Sequence, residues 1–148
     1  MIIVDSNIII QCFNNNRALP KGELVVPDDL NDEYEIAKEV HGKDIPGMII
    51  ASQLPDYDES YYLKKYYYYL NSYPEVYFVQ MRGFGDVAIL ALAACLVENF
   101  GRLKQQTLFD FDPISSQTIA IATHDGPLRQ KIESEFGNQV RIMRYEDI

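Results

Sequence analysis

The sequence has little cysteine and a deficit of positive charge, and each shortage excludes a class of protein. Two cysteines, Cys12 and Cys95, stand far apart in apolar stretches of the 148-residue chain. They are suited neither to a disulfide framework nor to a metal site, so we expect small core residues of a cytoplasmic protein. Only 13 Lys and Arg stand against 22 Asp and Glu, which gives a net charge of −9. A nucleic-acid function therefore needs a local basic patch or a metal ion.

Several familiar sequence signals are also missing. We find no apolar stretch of the ~18 residues that a membrane span needs. The first apolar residues have no basic flank and are followed by Asp5, so we expect no signal peptide and no membrane partner. A phosphate-binding G-x-x-x-x-G-K-[ST], a G-x-G-x-x-G after the first apolar run and a D-x-D at its end are all absent. These absences disfavour nucleotide-binding folds and phosphotransferases with an aspartyl nucleophile.

Short apolar runs alternate along the chain with segments of helical period. The segments predicted as strands are 2–4, 24–26, 48–50, 76–79, 119–122 and 140–143. The segments predicted as helices are 8–13, 28–40, 59–73, 86–99 and 127–136. Such alternation predicts an α/β fold: a three-layer α/β/α sandwich whose central sheet has about five mainly parallel strands. We expect one domain over residues 1–148, with a polar loop or insertion near 101–117.

Two aspartates directly follow predicted buried strands. Asp5 comes after Ile-Ile-Val, and Asp125 comes after the apolar run 119–122 and before Gly-Pro and a helix. In a parallel sheet, ligands bind in the crevice beyond the carboxyl ends of the strands. Each aspartate alone is explained as well, or better, by a helix cap, which contributes about 1 kcal/mol.

Two further acids are predicted near the same edge of the sheet. The stretch VVPDDLNDEYEIAKEV predicts a helix whose inward stripe is Leu30, Tyr34, Ala37 and Val40. Glu33 falls on that stripe, so we expect it to point toward the sheet, while Asp28 or Asp29 caps the helix. Asp86 begins a long apolar helix in GFGDVAILALAACLVENF, where it too can act as a cap.

The four acids together predict a metal site. Converging carboxylates repel one another and raise each other's pKa, a cost that a bound cation offsets. Carboxylate oxygens favour hard ions such as Mg²⁺ or Mn²⁺ over zinc. We therefore expect metal-assisted hydrolysis of a phosphodiester, with one or two ions activating water and orienting the phosphate.

The order VDSN, VVPDDLNDE, GFGDVAILALA and IATHDGPLR resembles that of the PIN domain, from Asp5 to about Leu128. The resemblance implies a divalent-metal nuclease that uses Mg²⁺ or Mn²⁺. It implies that the catalytic, metal-binding acids are Asp5, Glu33, Asp86 and Asp125. It also implies supporting hydrogen bonds from Asn7 and Thr123. Pro127 departs from the family pattern, which often has a further acid at that position.

The resemblance implies an endoribonuclease, the toxin of a toxin–antitoxin pair, that forms a homodimer and binds an antitoxin protein. Two alternatives remain. One is a DNA-directed or structure-specific nuclease of replication or repair, and the other is a non-catalytic PIN-like module that binds RNA or protein.

Other features near these motifs have equally good structural explanations. In the Tyr-rich segment 59–73, one face carries Tyr62, Tyr66, Tyr69, Leu70 and Tyr73 and is predicted to be core or a dimer contact. The other face could stack bases or simply lie in solvent. Possible nucleic-acid contacts are Lys64, Lys65, Arg82 and Arg129. The segment Gln105–Phe109 loosely resembles a motif that docks on bacterial sliding clamps, while His41 and His124 are not expected to be catalytic.

Overall fold

The computed structural model describes residues 1–55, 57–73, 83–106 and 118–148. Its strands are β1 (Ile2–Val4), β2 (Leu24–Val26), β3 (Ile49–Ile50), β4 (Ile119–Ala122) and β5 (Val140–Met143). Its α-helices are α1 (Ser6–Asn14), α2 (Asn31–His41), α3 (Glu59–Ser72), α4 (Phe84–Gln106) and α5 (Gly126–Phe136). The strand predicted over 76–79 lies outside the described residues, as does 107–117.

The strands form one parallel sheet in the order β3-β2-β1-β4-β5. The chain moves outward from β1 through β2 to β3, then crosses to the other side of β1 for β4 and β5. Right-handed crossovers place α1 and α2 on one face of the sheet and α3, α4 and α5 on the other. In agreement with this, α1 packs on α2 and α3 packs on α4. The predicted α/β fold, with three layers and a five-stranded parallel sheet, is confirmed.

The central strands are buried on both faces. Every residue of β1, β2 and β4 is buried, which is why these strands are continuous apolar runs rather than alternating ones. Cys12 and Cys95 are buried as well, as the sequence predicted. Burial raises the pKa of the Cys95 thiol to about 12, so this side chain is unreactive at neutral pH.

Helix α4 is longer than the sequence predicted. It begins at Phe84 rather than Asp86, and it continues to Gln106 through residues predicted as the start of a loop. The window Phe84–Gly101, with a mean hydropathy of 1.6, is long and apolar enough to cross a membrane, so the expectation that no such stretch exists was wrong. However, 56% of that window is buried inside the fold, and α4 packs on α3, β1 and β4. Its burial and packing are those of a core helix.

Helix α3 buries one of its two predicted aromatic faces. Tyr62 and Tyr69 are buried, while Tyr66, Leu70 and Tyr73 are partly buried and pack against the core. The predicted core role of this face is therefore confirmed. Whether part of it contacts a second copy stays a prediction.

The two aspartates before α2 do not cap that helix. Asp28 accepts a hydrogen bond from the Ser52 backbone N–H at 2.9 Å, and Asp29 accepts one from the Tyr62 hydroxyl at 2.7 Å. The residue at the cap position is Leu30, whose side chain makes no capping bond. The predicted cap was therefore wrong, because both carboxylates instead bind the chain that follows β3.

Candidate active site

The order of the strands creates a crevice at the carboxyl ends of β1 and β4. These two strands are neighbours, but the chain leaves β1 toward β2 and leaves β4 in the opposite direction, toward β5. Such a reversal is where ligands bind in open parallel sheets, because the two connections diverge and leave space between them. Asp5 follows β1 directly, and Asp125 follows β4 after Thr123 and His124.

Asp5 is a buried acid, with 8% of its surface exposed. Its Oδ2 accepts a hydrogen bond from the Thr123 hydroxyl at 2.9 Å, and its Oδ1 accepts a long one from the Asn7 backbone N–H at 3.4 Å. Burial raises the pKa of Asp5, the two hydrogen bonds lower it, and the charges of Asp125 and Glu33 raise it further. The net pKa is raised, so the ionised carboxylate is under-stabilised by its surroundings.

Asp125 is joined to Asp5 through one threonine. The Thr123 hydroxyl that donates to Asp5 accepts a hydrogen bond from the Asp125 backbone N–H at 3.2 Å. The Asp125 carboxylate caps α5 through the Leu128 N–H at 3.4 Å, and it remains only partly buried. The supporting role predicted for Thr123 has this geometric basis, since one buried hydroxyl contacts both strand ends.

Glu33 lies near the site, but it is not on the buried face of α2 as predicted. Residues Leu30, Tyr34 and Ala37 are buried, but Val40 is 73% exposed and Glu33 is exposed too, so both were wrongly assigned to the inward stripe. Val40 is exposed because α2 ends one residue later, at His41, and Gly42 follows in the left-handed conformation. Even so, Glu33 Oε2 accepts a hydrogen bond from the Ser6 hydroxyl at 3.0 Å, next to Asp5 in the chain.

Tyr34 fixes α2 beneath the acids. Its side chain is fully buried, and its hydroxyl donates to the backbone carbonyl of Val4, the last residue of β1. Burial raises its pKa strongly, and the charges of Asp5 and Glu33 add to the effect, so the hydroxyl remains a neutral donor. This bond holds the first turns of α2, and with them Glu33, beside the end of β1.

Asp86 lies in the first turn of α4 and is partly buried. The start of α4 meets the start of α2, since a side chain at Gly85 would lie 3.8 Å from the Leu30 side chain. The charge of Asp86 acts on Lys131 and Tyr73, and Lys131 also responds to Asp125. Because α4 returns the chain to the start of the parallel strand β4, its first turn, with Asp86, lies at the carboxyl edge of the sheet.

Sequence reasoning missed Lys131. Its ammonium lies 4.4 Å from the centre of the Tyr73 ring and is shielded from solvent. Burial lowers its pKa, and the charges of Asp86 and Asp125 act in the opposite direction. A cleft of about 400 Å³ opens here, lined in part by Tyr73, Pro127 and Lys131. No local pattern could have identified this lysine, because its neighbours come from distant segments.

The donor atoms fit a hard divalent cation, although the acids are not gathered into a closed cage. Among the residues that the structure describes, no three acids lie close enough together to hold a metal ion. Mg²⁺ does not need such a cage, because it usually keeps several waters and binds one or two carboxylates together with substrate phosphates. Asp5, with its raised pKa and two acidic neighbours, is the carboxylate that a cation would stabilise most.

The other predicted contacts are less closely tied to the acids. Asn7 is exposed, and its backbone N–H rather than its side chain is the group bonded to Asp5. Arg129 follows Asp125 by one turn of α5 and is partly buried. Lys65 lies between two aromatic rings, 5.7 Å from the centre of the Tyr61 ring and 5.3 Å from that of Tyr68.

The remaining predicted features are only partly described. Lys64 is exposed on α3, whereas Arg82 lies outside the described residues. Of the clamp-like segment Gln105–Phe109, the first two residues end α4 and the other three lie outside the described part. His124 is exposed, and the His41 ring packs near the Phe13 ring at 5.5 Å. A structural role for His41 agrees with this contact.

Comparisons with models of protein families, with curated proteins and with solved structures found no match to this chain. The resemblance to the PIN domain therefore depends on the sequence motifs. The structure adds the positions of the four acids, Asp5, Glu33, Asp86 and Asp125.

Proposed function

We propose that this chain is a divalent-metal-dependent nuclease that hydrolyses phosphodiester bonds, of the endoribonuclease toxin type. The single observation that carries the proposal is Asp5: a buried carboxylate at the switch point of a parallel sheet, with a raised pKa and two acids among its neighbours. A helix cap needs none of this burial, because a cap works equally well at the surface. A cation-binding site gains from it, since desolvation strengthens the attraction between carboxylate and metal.

Each residue of the site has a separate proposed role. Asp5 and Asp125 would hold a Mg²⁺ or Mn²⁺ ion at the crevice, with Glu33 and Asp86 on either side to bind its waters or a second ion. Such an ion, when bound, lowers the pKa of water and neutralises charge on the phosphate. Thr123 orients Asp5 by its hydroxyl, and Ser6 holds Glu33 in place. The acids also repel a free polyanion, which makes cleavage dependent on the cation.

We also propose the substrate, partners and compartment of a toxin. The substrate is RNA, the partners are an antitoxin protein and a second copy of the chain, and the compartment is the cytoplasm. These proposals rest on the motif resemblance and on the acidic surface, which suits a basic partner protein.

A cleavage assay on matched RNA and DNA substrates tests the proposal. We expect cutting of single-stranded RNA in Mg²⁺ or Mn²⁺ and no cutting in EDTA. Cutting of DNA or of branched DNA alone would indicate the repair-type nuclease instead. Cutting that persists in EDTA would rule out any metal mechanism, and binding of RNA without cutting in any metal would indicate the binding module.

A further inference from the structure

The side of α3 that points away from the core carries two exposed aromatic rings. Tyr67 is 59% exposed and Tyr68 is 54% exposed. Lys64 is exposed as well, three positions before Tyr67 and four before Tyr68, so the three side chains lie on one surface of the helix. Asn71, one turn further along, is exposed on the same side. We call these four residues the outer face of α3.

The two exposed rings are held in place by rings nearer the core. The Tyr67 ring meets the Tyr66 ring edge-on, with the ring centres 6.1 Å apart and an interplanar angle of 87°. The Tyr68 ring meets the buried Tyr69 ring at 5.3 Å and 71°. Edge-to-face pairs at such distances are favourable. Rings that are already ordered lose little conformational entropy when a flat ligand stacks on them.

The outer face is also a basic area on an acidic protein. Residues 60–73 contain two lysines and no Asp or Glu, whereas the whole chain has 22 acids against 13 Lys and Arg. The Lys65 ammonium lies 5.3 Å from the centre of the Tyr68 ring, so a positive charge stands next to an exposed ring. Charges more than about 8 Å apart are largely screened at physiological ionic strength. The lysines of α3 therefore outweigh acids beyond that distance for a ligand on this face.

We propose that the outer face of α3 binds single-stranded RNA, with one base stacked on Tyr67, another on Tyr68, and phosphates held by Lys64 and Lys65. Aromatic rings combined with basic side chains bind single strands in this way, because every base has a flat face and every nucleotide a phosphate. The surface needs no metal ion, so it goes beyond the proposed nuclease site. Only the choice of RNA rests on the proposed function.

A contact between two copies of the chain fits this face less well. In a two-fold symmetric dimer, the same surface of each copy meets itself. Because Lys64 lies between the two exposed rings, the lysines of both copies would lie close together. Residues 60–73 offer no carboxylate to pair with them. A strand of phosphates supplies the negative charge that a second copy of this helix lacks.

Fluorescence anisotropy with a labelled oligouridylate of about ten nucleotides measures binding in EDTA, where metal-dependent cleavage does not occur. We expect Tyr67→Ala and Tyr68→Ala each to weaken binding by at least about fivefold, because each removes the stacking of one base. Tyr67→Phe and Tyr68→Phe are the matched controls, since they keep the ring and should bind as the parent does. Both positions are exposed, and circular dichroism establishes that each variant is folded.

The salt dependence of binding tests the two lysines. Each phosphate contact contributes about −0.7 to the slope of log affinity against log salt concentration for a single strand. A variant with both Lys64→Gln and Lys65→Gln should bind more weakly, with a slope flatter by roughly 1.4. Lys21→Gln, at an exposed lysine outside α3, is the matched control and should leave affinity and slope unchanged.

The outcomes distinguish this inference from the nuclease proposal. No binding by the parent in EDTA, or equal affinity in the parent and both alanine variants, would overturn the α3 surface without bearing on the metal site. Tighter binding of a DNA strand of matched length and sequence would overturn the choice of RNA. Self-association that Tyr68→Ala removes while RNA affinity stays unchanged would make this face a contact between copies. Binding that requires these rings in a protein that never cleaves RNA would support the surface and overturn the nuclease proposal.

Discussion

The β1–α1 and β4–α5 junctions are alike in sequence and different in environment. Each consists of a buried apolar strand, an aspartate and a helix, and each aspartate accepts a 3.4 Å bond from a backbone N–H of the helix it caps. Yet Asp5 is buried and has a raised pKa, while Asp125 is partly exposed. The difference agrees with position, because β1 is the central strand, while β4 lies next to the edge strand β5. Two similar local motifs therefore give aspartates that differ in burial.

The largest effect should come from Asp5→Asn, which removes the charge at the more buried junction. We expect cleavage to fall by about 100-fold or more, because the remaining amide is a poor ligand for Mg²⁺. Asp125→Asn should cause a smaller loss, and Asp32→Asn, at an exposed acid on α2, should cause none. Initial rates on a labelled RNA measure all three. An Asp5→Asn variant as active as the parent would contradict the site.

Thr123→Val breaks the bond that joins the two junctions. The methyl group cannot donate to Asp5 or accept from the Asp125 N–H, so the Asp5 pKa should rise further and the free energy of unfolding should fall by about 1–2 kcal/mol. Cleavage should fall by roughly tenfold, as for other groups that orient metal ligands. Thr123→Ser is the control, since it keeps the hydroxyl. Urea unfolding and cleavage rates measure both variants. Equal stability and equal cleavage rates in Thr123→Val and Thr123→Ser would contradict the role of the Thr123 hydroxyl.

The pH dependence of stability should differ between the junctions in metal-free protein. The pKa of Asp5 is raised above its ordinary 3.8, so its contribution to folding is complete below pH 3.8 and is lost as pH rises through the folded-state pKa. Asp5→Asn should therefore be as stable as the parent, or more stable, at neutral pH. The gain should vanish in acid.

Urea unfolding in EDTA at pH 3 and pH 7 tests this expectation. An Asp5→Asn variant less stable than the parent at pH 7 would mean that the charge stabilises the fold, as an ordinary cap does.

The smallest effect should come from Ser6→Ala at the β1–α1 junction. This change removes the exposed 3.0 Å bond to Glu33, so the free energy of unfolding should change by less than about 1 kcal/mol. Cleavage should fall by a few-fold, because Glu33 becomes less well placed. Kinetics of Ser6→Ala beside Glu33→Gln measure this. An effect as large as that of Asp5→Asn would mean that Glu33 dominates the site.

The fold and the strand-end acids could be predicted because their signals are local. Buried parallel strands are continuous apolar runs, and an acid at the end of each run is visible in the sequence. Glu33 was harder to place, because a helical stripe defines a face but does not show where that face stops being covered. Lys131 could not be predicted at all, because the Asp86 charge that acts on it lies 45 positions earlier in the chain.

Thermal melting of the parent protein with and without Mg²⁺ or Mn²⁺ tests the central claim, that the acids at the switch point bind a cation. At about 100 times the dissociation constant, binding adds about 2.7 kcal/mol to the free energy of unfolding, which corresponds to roughly 5–10 °C in a domain of this size. We predict such a rise in the parent protein and little or none in Asp5→Asn. A melting temperature unaffected by either metal, or an equal rise in Asp5→Asn, would contradict the account.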